Sequence, residues 1–143
     1  MELVIVRGLP GSGKSTYAQT LSQTHNIVEQ DDFYVDSSGK YRWVAGLHVP
    51  AQQWFYGSVI YSLMRQNTAA VAPLCLIREV EGLLKASSVL GAEARVCEMQ
   101  GIYNNIHNIP QKTLEHLKQR WTPMPEYYKY CNQPLHIEKF SNL

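Results

Sequence analysis

The nine residues Gly8-Leu9-Pro10-Gly11-Ser12-Gly13-Lys14-Ser15-Thr16 constrain this chain more than any other segment. They follow Leu3–Val6, a short run of mostly β-branched residues that reads as a buried strand. They precede a stretch from Lys14 to about Thr24 that reads as a helix, with Tyr17, Ala18 and Leu21 on one face. A strand that passes through a glycine-rich turn directly into a helix is the opening unit of a parallel α/β sheet.

The turn matches G-x-x-x-x-G-K-[ST] in full. Its glycines let the backbone curl until several N–H groups face one point, which suits a phosphate group. The following helix adds the positive end of its dipole. Lys14 is the point charge for β- and γ-phosphates, and the Ser15 hydroxyl is a Mg²⁺ ligand. Thr16 contacts the α-phosphate or caps the helix. The expected nucleotide-binding residues are therefore Gly8, Pro10, Gly11, Ser12, Gly13, Lys14, Ser15 and Thr16, with ATP and Mg²⁺ as the ligands. The plainer alternative is an ordinary glycine turn between a strand and a helix.

The rest of the chain continues the alternation. Ile27 and Val28 suggest a strand ending at Asp31-Asp32, and residues 36–39 a surface turn. A helix is expected from near Pro50 to about Gln66, with Trp54, Tyr61, Leu63 and Met64 as its apolar surface. Ala69 to Ile77 reads as a strand made imperfect by Pro73. Glu79 to Leu90 reads as a helix carrying Val80, Leu83, Leu84 and Leu90, with Gly91 as its C-cap glycine. Ala92–Cys97 is a fourth strand, 101–108 a loop, and Pro110 to about Trp121 a helix with Leu114 and Leu117 inward. The fold class expected is α/β, a three-layer α/β/α sandwich with a short, mainly parallel sheet. Residues 1–121 are expected to form the domain, and 122–143 an extension packed on it or docked on a partner.

Composition sets the outer bounds. A chain of 143 residues, 45% apolar and 17% charged, suits one globular core. Its net charge of +1 gives no strong attraction to nucleic acid or membrane. No stretch approaches the roughly 20 apolar residues that span a bilayer. The three cysteines, Cys75, Cys97 and Cys131, are too scattered for a zinc site and suggest reduced thiols in a cytoplasmic protein.

Arg7 to Thr16, with Glu29-Gln30-Asp31-Asp32-Phe33-Tyr34, resembles the polynucleotide-kinase-like and zeta-toxin-like branch of P-loop ATPases, often termed AAA-family proteins in phages and bacteria. Gly39–Trp43, Ala51–Trp54, the segment 103–110 and Arg120-Trp121 resemble further motifs of a small subfamily. The resemblance implies a kinase in which Asp31 receives the proton of the attacking hydroxyl and shares Mg²⁺ with Ser15. The residue-level alternative for Asp31 and Asp32 is a helix or turn cap, and Glu29 either assists the metal shell or is a solvated strand-end charge. It also implies a lid near 99–108, where the family carries an arginine and this chain offers Asn104, Asn105 and His107. His107 is equally a loop-stabilising residue. Arg78, Arg95 and Arg120 are the candidate replacements, although Arg95 also reads as a mid-strand or surface residue, and Arg120 either points inward on the lid helix or lies on its more common solvated face. Three more departures stand out: no carboxylate or amide ends the third strand, Tyr34 replaces an arginine, and Gln52 replaces a histidine.

Two functions follow. One is a small kinase that moves the ATP γ-phosphate, with Asp31 and Lys14 catalytic, to a nucleic-acid 5′-hydroxyl, a nucleoside-like molecule or a sugar. The other is a nucleotide-binding module with weak turnover, acting through a protein partner on the aromatic tail that includes Trp121, Tyr127, Tyr128 and Tyr130.

Overall fold

The computed structural model describes residues 1–101, 110–124 and 136–140. Asn104, Asn105, His107, Cys131 and the tail tyrosines lie outside the described residues. The elements are β1 (Glu2–Gly8), α1 (Lys14–Gln19), β2 (Asn26–Glu29), a 3₁₀ turn (Gln30–Tyr34), α2 (His48–Leu63), β3 (Thr68–Ala72), α3 (Ile77–Val89), β4 (Glu93–Met99), α4 (Gln111–Arg120) and β5 (His136–Phe140).

The five strands form one sheet in the order β2-β3-β1-β4-β5, and every pairing is parallel. Side chains of a strand alternate between its faces, and β1 divides accordingly. Leu3 and Ile5 join Phe55, Val59 and Leu63 of α2 and Val80, Leu83 and Leu84 of α3 in one core cluster. Val4 and Val6 join Tyr17 and Ala18 of α1 in the other. The result is the expected three-layer α/β/α sandwich, with α1 on one face and α2 and α3 on the other.

Several boundaries moved for identifiable reasons. α1 ends at Gln19, and residues 20–25 continue as hydrogen-bonded turns. β3 stops at Ala72 because Pro73 cannot donate to a ladder. α3 begins at Ile77 rather than Glu79, because Glu79 occupies the third helical position and its Oε1 accepts the Leu76 N–H at 3.0 Å. Gly91 takes φ 68° immediately after that helix, as a C-cap glycine does. β4 extends through Glu98 and Met99, two residues past the expected Cys97.

The face assigned to α2 is corrected. Ala51, Phe55, Val59, Ser62 and Leu63 are buried, whereas Trp54, Tyr61 and Met64 are exposed. Leu90 is likewise exposed. On α4, Leu114, Leu117 and Arg120 are half-buried and no residue is fully buried. β5 was not anticipated. It adds a parallel strand beside β4, and its Phe140 ring meets Tyr17 at 4.6 Å. No helix among the described residues is long and apolar enough to cross a membrane.

Candidate functional site

β1 is the strand from which the sheet grows both ways, through β3 on one side and β4 on the other. Ligands of open α/β sheets bind at the C-terminal end of such a strand. The Gly8–Thr16 loop leaves β1 at that end.

The loop is tightly built. Gly11 and Gly13 adopt φ 77° and 99°, values that only glycine takes without strain. A Cβ on Gly8 would lie 2.3 Å from Ser12 Oγ and 2.9 Å from the Met99 carbonyl oxygen. Gly101 N–H donates to Ser12 O at 3.2 Å, which ties the chain after β4 to the loop. Lys14 folds inward, its Nζ donating to Gly8 O at 2.8 Å and Leu9 O at 3.0 Å. Burial lowers the Lys14 pKa to about 8, against the opposing charges of Asp31, Cys75 and Glu29.

The acidic end of β2 meets the loop. Ser15 Oγ donates to Glu29 Oε1 at 2.6 Å. Asp31 and Asp32 follow on the 3₁₀ turn. Burial raises the Asp32 pKa and neighbouring Asp31 adds to the rise, against a backbone hydrogen bond at Glu29. Tyr34 and Tyr41 pack edge-on at 6.1 Å. Burial first, then Asp31 and Tyr34, push the Tyr41 hydroxyl up to about 12. A short hairpin presents Tyr41: Val35 bridges Tyr41, Arg42 N–H donates to Tyr34 O at 2.7 Å, and Arg42 Nε pairs with Asp36 at 3.0 Å.

The residues fit a triphosphate and its metal. Ser12 Oγ is a buried side-chain oxygen without a hydrogen-bond partner, in the same loop as the desolvated Lys14. Among the described residues no three His, Cys, Asp or Glu side chains group as a metal site. Mg²⁺ does not need such a group, because it is held by one or two carboxylates together with phosphates and water. Ser15 Oγ against the Glu29 carboxylate, with Asp31 two residues further on, are oxygen donors of that kind.

The end of β3 is occupied by something else. Leu74 sits at φ 48°, a left-handed conformation that is strained for a residue with a side chain. Its carbonyl accepts Arg7 Nε at 3.0 Å, and the Cys75 carbonyl accepts Arg7 Nη2 at 3.1 Å. Arg7 is fully buried, and its Nη1 donates to Glu98 Oε1 at 2.9 Å. Nη2 also donates to Thr122 O at 2.8 Å, and the guanidinium lies 3.9 Å from the centroid of the Trp121 ring. Glu98 Oε1 accepts the Met124 N–H at 3.1 Å. This hub was missed from sequence. Its one signal was a pair of charged residues, Arg7 and Glu98, near the C-terminal ends of two strands.

Of the arginines considered from sequence, Arg78 is exposed on the first turn of α3. Arg95 lies in β4 with Glu2 at 3.5 Å and Glu138 at 3.4 Å. It pairs in register with Val4, four residues before Gly8 in β1. Gln52 Nε2 donates to Glu79 Oε2 at 3.0 Å.

No known family model matches the chain. An uncharacterized protein of Pasteurella multocida is 22% identical, over 95% of this chain and 80% of its own. A chain of the Pnkp1/Rnl/Hen1 complex superposes with a TM-score of 0.56 at 21% identity, covering 95% of this chain. The present chain spans less than half of that one, 46% of its length. Kti12 of Chaetomium thermophilum, solved in complex with ADP-AlF3, superposes with a TM-score of 0.72 at 15% identity, over 96% of this chain and 89% of its own. With its all-parallel sheet in the order 2-3-1-4-5 and the glycine loop at the end of the first strand, the chain has the polynucleotide-kinase-like P-loop fold.

Proposed function

We propose that this protein is a small kinase that transfers the γ-phosphate of ATP to a hydroxyl acceptor. One observation carries the reading: the 2.6 Å contact of Ser15 with Glu29 brings the acidic end of β2 against the glycine loop. Asp31 is two residues further on and its charge acts on Lys14. A cation for phosphates and a carboxylate for a hydroxyl proton thus share one site. The Gly8–Thr16 backbone and Lys14 bind and orient the triphosphate. The acceptor oxygen bonds to the γ-phosphorus as the bond from that phosphorus to the β,γ-bridging oxygen breaks. Asp31 takes the hydroxyl proton, and the leaving oxygen departs on ADP. Ser15 and Asp31 would hold Mg²⁺, which would supply positive charge to the phosphates.

The acceptor reading includes a nucleic-acid 5′-hydroxyl, a nucleoside-like molecule or a sugar. The solved neighbours support the kinase class: besides the Pnkp1 complex they include a gluconokinase from Sinorhizobium meliloti. Buried free thiols at Cys75 and Cys97 agree with a cytoplasmic location. The test is calorimetric titration with ATP and Mg²⁺, then γ-phosphate transfer to a panel of hydroxyl acceptors by wild type and Asp31→Ala. Equal transfer by the variant removes Asp31 as the base.

A second reading is a binding module with weak turnover. What favours it is the end of β3, where Pro73-Leu74-Cys75-Leu76 brings no carboxylate or amide and two carbonyls are committed to Arg7. Tight ATP binding without product, and a protein partner lost on deletion of 122–143, would support it over the kinase.

A further inference from the structure

A phosphoryl group in transfer spreads negative charge over its outer oxygens, and a cation beyond the loop lysine is the usual means of offsetting it. The described arginines divide sharply on this point. Arg7 is spent on Glu98, Arg42 on Asp36, and Arg95 on Glu2 and Glu138. Arg65 lies over its helix neighbour Tyr61 at 3.7 Å, and Arg78 is exposed.

Arg120 is differently placed. It closes α4 on the half-buried stripe Leu114, Leu117, Arg120, so it continues the inward side of that helix rather than its solvated side. The residues after it are fixed at the C-terminal end of β3. Thr122 N–H donates to Cys75 O at 2.8 Å, Thr122 O accepts from Arg7 at 2.8 Å, and the Trp121 ring lies against the Arg7 guanidinium. Cys75 is therefore common ground. The charges of Arg7, Lys14 and Arg120 all act to lower its thiol pKa, although burial leaves that pKa raised.

We propose that Arg120 is the second cation of the site, meeting the terminal phosphoryl group of a triphosphate held in the Gly8–Thr16 loop, and that Trp121 stacked on Arg7 positions it. The inference rests on the reading of that loop as a triphosphate site. It also assigns a purpose to the buried hub: Arg7 never touches the ligand, yet it anchors the turn that carries Arg120.

The test compares ATP with ADP, which differ by the phosphoryl group in question. Calorimetric titrations in Mg²⁺ are run on wild type, Arg120→Gln, Arg120→Lys, Arg78→Gln and Trp121→Leu, each checked for native fold by circular dichroism. Arg120→Gln is expected to weaken ATP binding about tenfold, the effect of one charge-assisted hydrogen bond, and to leave ADP binding unchanged. Arg120→Lys should recover part of the loss, and Arg78→Gln should match wild type. Trp121→Leu should lose the ATP preference, with no further loss when combined with Arg120→Gln, because a positioning residue acts through the one it positions. An ATP-to-ADP ratio unaltered in Arg120→Gln, or lost in Arg78→Gln instead, overturns the assignment while leaving the loop reading intact. Wild type that binds neither nucleotide, or Lys14→Ala that binds as well as wild type, overturns the loop reading itself.

Discussion

Arg7 and Glu98 are register partners on β1 and β4, joined at 2.9 Å with both side chains shut off from solvent. Removing one member leaves a buried charge uncompensated, which costs about 3–5 kcal/mol, whereas replacing both with apolar residues is often neutral. Arg7→Met should therefore destabilise the protein by about that amount in urea unfolding. Arg7→Met with Glu98→Met should recover most of it. A double variant as unstable as the single one would mean that the carbonyls of Leu74, Cys75 and Thr122, rather than Glu98, account for the cost.

The loop can be probed by volume. In Gly8→Ala the new methyl meets Ser12 Oγ and the Met99 carbonyl. ATP affinity should fall by about tenfold or more, or at least about 1.4 kcal/mol. Adding Ser12→Ala removes the first clash and leaves the second, so recovery should be partial. Full recovery would show that the backbone contact is easily relieved.

Lys14 makes a pH prediction whose sign is determined. Its folded pKa of about 8 lies below the ordinary 10.5. Below pH 8 the lysine is charged in both states and its burial cost is fully present. Between pH 8 and 10.5 the unfolded chain binds more protons, so this group's contribution to stability rises with pH. Phosphate favours the charged form, and ATP binding near pH 8 should take up about half a proton at this site. Titration in buffers of different ionisation enthalpy reads that uptake. Lys14→Arg, always charged, should abolish it; uptake that persists there assigns the proton to another group.

Asp31 and Asp32 separate by role. Asp31→Asn should lower kcat by roughly 10²–10⁴-fold, the range of a lost general base. Asp32→Asn should change kcat by less than about tenfold, as expected of a residue that belongs to the 3₁₀ turn rather than to the proton transfer. The check is initial rates with any acceptor that turns over, and comparable losses in both variants would make the pair a coupled unit.

How far the sequence could be read depended on distance along the chain. The glycine loop was legible because its nine residues are contiguous and each has a local reason. α3 was legible because Val80, Leu83 and Leu84 mark one helical face. α2 was not, because apolar residues surround it and side-chain size does not say which side faces the core. Trp54 and Tyr61 are larger than Val59, yet Val59 is the buried one. The Arg7–Glu98 pair spans 91 positions, and no periodicity encodes such a meeting. The contact of Glu29 with Ser15 was half legible: a strand-end acid was visible, but its partner was not. β5 was obscured by the prolines and aromatics that precede it.

The hub has a consequence for synthesis. Arg7 emerges from the ribosome well ahead of residues 74, 75, 98, 121 and 122, which contribute the carbonyls, carboxylate and ring that surround it. Until those residues have been made, the strand that leads into the glycine loop carries a charge with no interior to receive it. The strand is thus made well before it can be completed, and ligand-ready geometry at the glycine loop reports that the chain has been made at least through Thr122.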